Sequence, residues 1–164
     1  MSDPRIEDYG LIGDLQTAAL VHRAGSIDWT CFPRFDSGAC FAALLGTPEN
    51  GRWLLAPVAT PTSTERSYRG NTLILETIHK TETGSVRVID FMPPRGDAPD
   101  IVRIVEGIDG EVEMHTELIL RFDYGQVVPW VHKRGDHLLA IAGPNATCLR
   151  TPIPTHGKDM HTVA

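Results

Sequence analysis

The sequence predicts an all-β protein, an antiparallel β-sandwich, on three observations. Short segments of alternating apolar and polar residues recur along the chain, and turn signals separate them at intervals of about eight to twelve residues. The 164 residues include 15 glycines and 12 prolines, which is typical of a chain with many turns. Only one segment favours a helix. Because predicted strands greatly outnumber helices, we expect a sandwich or a barrel and favour the sandwich.

Two paired strands and the helix candidate come first along the chain. Residues 1–8 carry charges and no regular pattern, so we expect a flexible arm there. Residues 15–23 and 27–31 are predicted to pair as strands across a turn at residues 24–26. Residues 39–45 contain alanine and leucine between a serine-glycine start and a glycine stop. This composition predicts one short helix of about two turns.

A series of strands follows. Those between residues 71 and 142 are predicted to pair in chain order as three hairpins. Prolines and a glycine argue against regular structure after residue 151, and residues 161–164 look like the start of a strand without a partner. We therefore expect one β-sandwich domain over residues 9–164, incomplete at its C-terminus. The predicted strands of this part are residues 52–56, 71–79, 86–91, 101–106, 112–120, 127–133, 137–142 and 146–150.

Charge and composition narrow the class of partner. The net charge of −6, without clusters of lysine and arginine, argues against nucleic acid or an anionic membrane and fits a neutral ligand such as a sugar. No apolar run reaches the roughly 18 residues that span a bilayer, and the charged start does not resemble a signal peptide, so we expect a cytoplasmic protein. The three cysteines have neither disulfide nor zinc spacing. We predict no metal and no cofactor.

Residues 25–37 hold an unusual density of aromatic and charged side chains. The alternation around Trp29 predicts a strand that a proline ends, so Arg34, Phe35 and Asp36 follow in a loop at the sheet edge. Binding residues often lie in such loops. The alternative is structural, with both aromatics in the core and the arginine paired with the aspartate.

A second loop repeats this pattern. Arg121, Phe122 and Asp123 follow a predicted strand and precede Tyr124. Aromatic rings with planar polar groups can stack on sugars and hydrogen-bond their hydroxyls, but the same residue types are enriched at domain interfaces. The sequence leaves both uses open.

Carboxylates provide little support for catalysis. Glycoside hydrolysis needs two of them roughly 5 to 9.5 Å apart, one with a raised pKa. The candidates have no spacing that pairs them, and aspartates at strand ends are more often caps or ion-pair partners. We therefore predict no catalytic residue in this chain. The candidates considered are Asp28, Asp36, Asp90 and Asp123.

Motifs along nearly the whole chain occur in the order known from one family of enzymes. They stand at residues 9–13, 17–21, 25–29, 33–37, 41–45, 51–53, 68–77, 90–93 and 121–125. In this order they resemble the N-terminal domain of bacterial and archaeal glucoamylase-like and trehalase-like enzymes of glycoside hydrolase family fifteen.

The resemblance implies a large β-sandwich, called a super-sandwich in some members, that precedes an (α/α)6 barrel with two catalytic glutamates. Such enzymes hydrolyse α-glucosidic bonds, including that of trehalose. No barrel helix is present here, so no catalytic glutamate is carried over, and we expect this chain alone to be inactive. We predict a non-catalytic domain that packs on the barrel and shapes its active site. The predicted contacts are Trp29, Arg34, Phe35 and Asp36, with Arg121, Asp123 and Tyr124 as second choice.

Two other functions remain open at this point. The domain could be a stand-alone carbohydrate-binding module that binds an α-glucoside or trehalose through exposed tryptophans. It could also be an oligomerisation domain that associates with a second copy through an unprotected sheet edge.

Overall fold

The computed structural model describes residues 5–164, in which antiparallel strands form three sheets. It confirms the all-β sandwich prediction. The strands of the largest sheet are β1 Tyr9–Gly13, β2 Ala18–His22, β3 Ser26–Cys31, β4 Ala39–Phe41, β5 Arg52–Pro57, β10 Met114–Ile119, β14 His156–Lys158 and β15 His161–Val163. Their order across the sheet is β1-β2-β3-β5-β10-β15-β14, and β4 pairs with β3 beside this path.

Two smaller sheets pack on the eight-stranded sheet. The four-stranded sheet is a meander of β6 Ser63–Tyr68, β7 Leu75–Lys80, β8 Gly84–Phe91 and β9 Val102–Gly110. The three-stranded sheet contains β11 Trp130–Arg134, β12 His137–Ala142 and β13 Asn145–Arg150.

The main core lies between these layers. The eight-stranded sheet contributes fully buried residues such as Ile12 and Ile27, while Leu75 comes from β7 and Ala140 from β12. Each large aliphatic side chain removed from water contributes about 1.5–3 kcal/mol. Burial of apolar side chains from all three sheets in one cluster therefore joins them into one unit.

A buried ion pair also links the two larger sheets. Arg103 of β9 donates from Nε to Asp90 Oδ1 at 2.8 Å, and both side chains are 1% exposed. The same guanidinium donates to the carbonyl oxygens of Trp53 and Gly25 in the eight-stranded sheet, at 2.6 and 2.7 Å. Gly25 has φ 89°, and a Cβ there would collide with the Leu55 carbonyl, so this close approach requires glycine.

The helix predicted over residues 39–45 is wrong. Residues Ala39–Phe41 form β4, paired with β3, and Ala43–Leu45 form a single 3-10 turn. Every residue of β4 is buried, and a short continuous apolar run is as compatible with a buried strand as with a helix. A helix of two turns is too short to be stable by itself, so the available pairing with β3 decides the conformation.

The predicted hairpins are confirmed with one exception. Strand β2 pairs with β3, β7 with β8, and β11 with β12. The predicted hairpin of residues 101–106 with residues 112–120 is wrong, because β9 pairs with β8 while β10 crosses to the eight-stranded sheet and pairs with β5. Alternation identifies a strand but does not identify its partner.

Both chain ends differ from the expectations drawn from sequence. Residues 1–4 of the predicted arm lie outside the described residues, and Ile6–Asp8 form a 3-10 turn in which the Asp8 carbonyl accepts from Arg66 at 2.8 Å. The expectation that residues 161–164 lack a partner is wrong, since β15 pairs with both β10 and β14. Strand β14 forms after the prolines of this segment, at residues 156–158.

Candidate functional site

Four connections meet at one end of the eight-stranded sheet, which we call the loop end. Strand β3 is antiparallel to β5 and β5 is antiparallel to β10, so β3 and β10 both finish at this end. The two Arg-Phe-Asp loops that the sequence singled out follow these two strands. They are therefore neighbours for a topological reason. The connections of the loop end are residues 14–17, 32–38, 42–51 and 120–126.

The first connection presents Leu15 to solvent. This residue is 91% exposed and has φ 73°, a conformation that leucine rarely adopts. The buried Asp14 carboxylate fixes the turn by accepting from the N–H groups of Gln16 and Thr17 at 2.9 and 2.8 Å, and from Arg95 Nε at 2.7 Å. Burial would raise the pKa of Asp14, but these hydrogen bonds outweigh it, and the pKa lies below its usual value.

The second connection contains three of the predicted contact residues, and Trp29 lies on the strand before it. Arg34 and Asp36 pair with each other, with 2.9 Å between Nε and Oδ1. The hydrogen bond and the charge of the guanidinium hold the pKa of Asp36 below its usual range. Phe35 is 63% exposed, while its N–H donates to the Gln16 carbonyl at 3.1 Å, which ties this loop to the first connection.

The fourth connection has an unusual backbone. Asp123, Tyr124 and Gly125 have φ values of 51°, 58° and 97° in succession. A left-handed conformation costs a non-glycine residue about 1–2 kcal/mol. The fold holds it through the Tyr124 N–H, which donates to the Ala39 carbonyl at 3.2 Å. Asp123 and part of the Tyr124 ring remain exposed.

An aromatic contact joins the two predicted loops. The rings of Trp29 and Tyr124 have centroids 6.0 Å apart and an interplanar angle of 41°. Trp29 is half-buried beneath this contact. The structure thus brings together Trp29, the residues that follow it, and Tyr124.

Arg121 differs from the other predicted residues, because its side chain is buried. Its Nη1 donates to the Leu120 carbonyl at 2.9 Å, and its Nη2 lies 3.8 Å from Glu49 Oε2. This burial argues against direct contact of Arg121 with a partner. The guanidinium instead fixes the loop from inside the fold.

A cluster of charged residues beside the loop end was not predicted. His161 lies 3.3 Å from Glu49 Oε2 through Nε2 and 3.3 Å from Glu117 Oε1 through Nδ1. Arg52 donates to the other oxygen of Glu117 at 2.6 Å. Burial would raise the pKa of Glu117, but Arg52 and His161 outweigh it and the pKa is lowered. These residues come from three separate parts of the sequence, which the pairing of β10 with β5 and β15 brings together.

The four aspartates considered for hydrolysis are held by other contacts or lie in a turn. Asp90 pairs with Arg103, and Asp28 accepts from Tyr9 Oη at 2.8 Å. Asp36 pairs with Arg34, and Asp123 lies in the left-handed turn. Among the described residues, no group of three or more His, Cys, Asp or Glu side chains could hold a metal ion.

The chain matches the family described as "Trehalase-like, N-terminal" over residues 1–157. It belongs to this family. The trehalase-like N-terminal domain is 34% identical over 143 residues to a trehalase of Mycolicibacterium smegmatis, a match that covers 76% of this chain and 21% of the relative. It is 31% identical over 162 residues to a trehalase of Mycobacterium tuberculosis, which covers 87% of the chain and 24% of the relative. A trehalase of Thermoplasma volcanium is 31% identical over 137 residues, covering 79% and 22%.

The trehalase-like N-terminal domain therefore spans less than a quarter of the length of these relatives. No solved structure matches it. Within residues 5–164, no helix is long and apolar enough to cross a membrane.

Proposed function

We propose that this domain is the N-terminal domain of a glycoside hydrolase of the glucoamylase or trehalase type, and that its loop end packs on the catalytic (α/α)6 barrel and shapes the rim of the active site. The observation that carries the proposal is the convergence of both Arg-Phe-Asp loops at one end of the sheet. Membership in the trehalase-like N-terminal family supports the same reading. The partner is the barrel of the same polypeptide, and the substrate is an α-glucoside such as trehalose.

The exposed side chains of the loop end suit contact with another domain. Leu15, Phe35 and Tyr124 all place large apolar groups in solvent on the connections of this end. Aromatic and arginine side chains are enriched in buried interfaces, and they contribute most of the binding free energy when they fill a pocket. Arg34 and Asp36 supply a polar margin next to Phe35.

The backbone of the loop end is already ordered. Asp14, the Gln16 carbonyl and the Ala39 carbonyl each accept backbone hydrogen bonds that fix these loops. Rigid loops lose little conformational entropy when they bind, so a given contact contributes more to affinity. Asp123 and Tyr124 have unfavourable left-handed backbone conformations. Such conformations cluster at functional sites, which supports a binding role for this loop.

The carbohydrate-binding alternative receives less support at the two tryptophans that would test it. Trp53 donates from Nε1 to Thr116 Oγ1 at 3.1 Å, and the Arg103 guanidinium lies 5.3 Å from the centre of its ring. Trp29 packs against Tyr124. Both indoles are partly buried, so each offers a sugar ring less surface than an exposed tryptophan would.

The location we propose for the enzyme is the cytoplasm. Cys31 and Cys40 are buried free thiols, and Cys148 is an exposed free thiol. Thiols persist in the reducing cytoplasm, whereas secreted domains more often use their cysteines in disulfides.

A hybrid enzyme tests the docking role. In the Mycolicibacterium smegmatis trehalase, this chain replaces the matched region of 143 residues. We expect the hybrid to hydrolyse trehalose, and we expect the double substitution Leu15→Ala with Phe35→Ala to lower kcat/KM by about 10–100-fold through misplacement of the active-site rim. The isolated domain should hydrolyse neither trehalose nor maltooligosaccharides.

Val58→Ala is the matched control. Val58 is also an exposed apolar residue, but it follows β5 at the end of the sheet opposite the loop end. The control should leave kcat/KM unchanged. Equal kinetics for the double variant and the control would contradict the proposal, as would turnover by the isolated domain.

A further inference from the structure

The connection between β8 and β9, residues 92–101, contacts the loop end through one long side chain. Arg95 donates from Nε to Asp14 Oδ2 at 2.7 Å, and its Nη2 lies 2.7 Å from the same oxygen. Its Nη1 lies 3.4 Å from Gln16 Oε1. Asp14 and Gln16 belong to the first connection of the loop end. Arg95 therefore joins the four-stranded sheet to that connection.

The pair of Arg95 and Asp14 is removed from water. The Arg95 side chain is 11% exposed and the Asp14 side chain is 0% exposed. Both charges lose their hydration, and apolar side chains in place of such a pair are often equally stable or more so. Burial of the pair is therefore weak evidence that it serves stability. What the guanidinium does supply is direction, because its planar array of donors binds a carboxylate in a defined geometry.

The two oxygens of the Asp14 carboxylate bind different partners. Oδ2 accepts from Arg95, while Oδ1 accepts from the N–H groups of Gln16 and Thr17 at 2.9 and 2.8 Å. A rotation of the carboxylate that favoured one set of contacts would weaken the other. Arg95 thus fixes the orientation in which Asp14 holds the turn, including the left-handed backbone of Leu15 at φ 73°.

The first connection transmits this orientation to the second. The Gln16 carbonyl accepts from the Phe35 N–H at 3.1 Å, and Thr17 Oγ1 donates to the Cys31 carbonyl at 2.5 Å. Thr17 is 1% exposed, so water does not compete for this hydrogen bond. The positions of Leu15 and Phe35, which lie on two different connections, therefore depend on the same carboxylate.

We propose that Arg95 is a positioning residue for the rim of the active site. Through Asp14 it orients the first connection, and through that connection it places Leu15 and Phe35 against the catalytic barrel. The inference rests on the proposed docking of the loop end. It adds to that proposal a largely buried residue of the β8–β9 connection, which acts without touching barrel or substrate.

The first arm of the test uses the 164-residue protein and does not depend on docking. Arg95→Met keeps a long unbranched side chain and removes the guanidinium. We expect amide hydrogen exchange at Gln16, Thr17 and Phe35, measured by NMR, to accelerate at least about tenfold, because the first connection then opens more often. Amides of β12, in the three-stranded sheet, should keep their exchange rates.

The second arm uses the hybrid trehalase. Arg95→Met should lower kcat/KM by about tenfold through displacement of the rim. Arg95→Lys retains a cation for Asp14 without the guanidinium geometry, and it should lower kcat/KM by less than about threefold. Arg95→Met added to Leu15→Ala with Phe35→Ala should cause no further loss, because Arg95 acts through those two side chains. A loss that came only from a smaller folded fraction would instead multiply.

Arg66→Met is the matched control. Arg66 also links the four-stranded sheet to the chain around β1 and β2, since it donates to the carbonyls of Asp8 and Val21 at 2.8 and 3.1 Å. It does so at the end of the β1–β2 hairpin opposite the first connection. The control should lower the urea midpoint and leave kcat/KM unchanged.

A second variant covers the possibility that Arg95→Met does not fold. That substitution leaves the buried Asp14 carboxylate without its counter-charge, which can destabilise a protein strongly. Arg95→Met combined with Asp14→Asn removes both charges and retains an oxygen that can accept from the turn. We expect this variant to lower kcat/KM by about tenfold as well, because nothing then orients the acceptor.

Three results would overturn the proposal. The first is unchanged exchange at Gln16, Thr17 and Phe35 in the Arg95 variants. The second is unchanged kcat/KM in the Arg95 variants of the hybrid when Leu15→Ala with Phe35→Ala lowers it. The third is a multiplicative loss when these substitutions are combined. Failure of the docking proposal has a different signature, in which kcat/KM is unchanged in all of these variants although amide exchange is accelerated.

Discussion

Two arginine–aspartate pairs of this domain share their chemistry and differ in their surroundings. Arg103 and Asp90 lie between two sheets with side chains 1% exposed, and Arg34 and Asp36 lie on the loop end with side chains 66% and 72% exposed. The atoms that meet are the same, Nε and a carboxylate oxygen, at 2.8 and 2.9 Å. Position in the fold, and not the contact itself, decides whether such a pair stabilises the domain or is available to a partner.

Substitution in the buried pair should cause the largest loss in the free energy of unfolding. Asp90→Ala leaves the Arg103 guanidinium without its carboxylate in a site closed to water, and removal of one partner of a buried pair costs about 3–5 kcal/mol. Urea unfolding followed by tryptophan fluorescence measures the free energy of unfolding. A loss below about 1 kcal/mol would mean that this interface is not desolvated in solution.

A smaller loss in the free energy of unfolding should follow a substitution in the turn that holds Leu15. Asp14→Asn removes a charge that accepts from Arg95 and two backbone N–H groups, and we expect a loss of about 1–3 kcal/mol. Because the pKa of Asp14 is lowered in the fold, its carboxylate stabilises the protein above the pKa of the unfolded chain, about 3.9. That contribution is lost as pH falls through the folded pKa.

The dependence of stability on pH can be assigned to Asp14 only if the contributions of other titrating groups are removed. The buried His79 also lowers stability in acid, since burial lowers its pKa and the neutral ring is the form that the fold accepts. The quantity to follow is therefore the difference in free energy of unfolding between Asp14→Asn and the parent. It should be constant above about pH 5 and shrink as pH falls below about 4. A constant difference across the whole range would contradict the assignment.

Sequence patterns predicted the parts of this structure that depend on local chemistry. The strands around Trp29, the turns between hairpins and the two Arg-Phe-Asp loops all follow from alternation, proline and glycine. Two mistakes, the helix at residues 39–45 and the hairpin of residues 101–106 with 112–120, arose where strand pairing decides the structure. Alternation cannot indicate which strand will be the neighbour.

For the candidate site, the sequence likewise indicated individual residues but not how the fold brings them together. The sequence indicated Phe35 and Tyr124, but convergence of their loops depends on the parallel relation of β3 and β10. Leu15 was missed because its exposure depends on the Asp14 turn, although a leucine between aspartate and glutamine in a turn could have raised the question.

The contact between Trp29 and Tyr124 should make an intermediate contribution to the free energy of unfolding. A double-mutant cycle with Trp29→Leu and Tyr124→Leu should give a coupling free energy of about 0.5–1.5 kcal/mol, the usual contribution of an aromatic pair beyond buried area. Urea unfolding of the four proteins measures it. Additive losses from the two single variants would show that the loops are held together by their backbones alone.

The smallest effect on stability should come from the exposed pair, and it completes the comparison. Asp36→Ala repeats the substitution proposed for Asp90, but water replaces the carboxylate as the partner of Arg34, so we expect no measurable change in the urea midpoint. In the hybrid trehalase, however, the same substitution should lower kcat/KM, because Arg34 would then lie unpaired against the catalytic barrel. A shifted midpoint would make this pair part of the fold, and unchanged kinetics with an unchanged midpoint would remove it from the interface. Only the combination of normal stability and impaired catalysis distinguishes a contact made for a partner from one made for the domain.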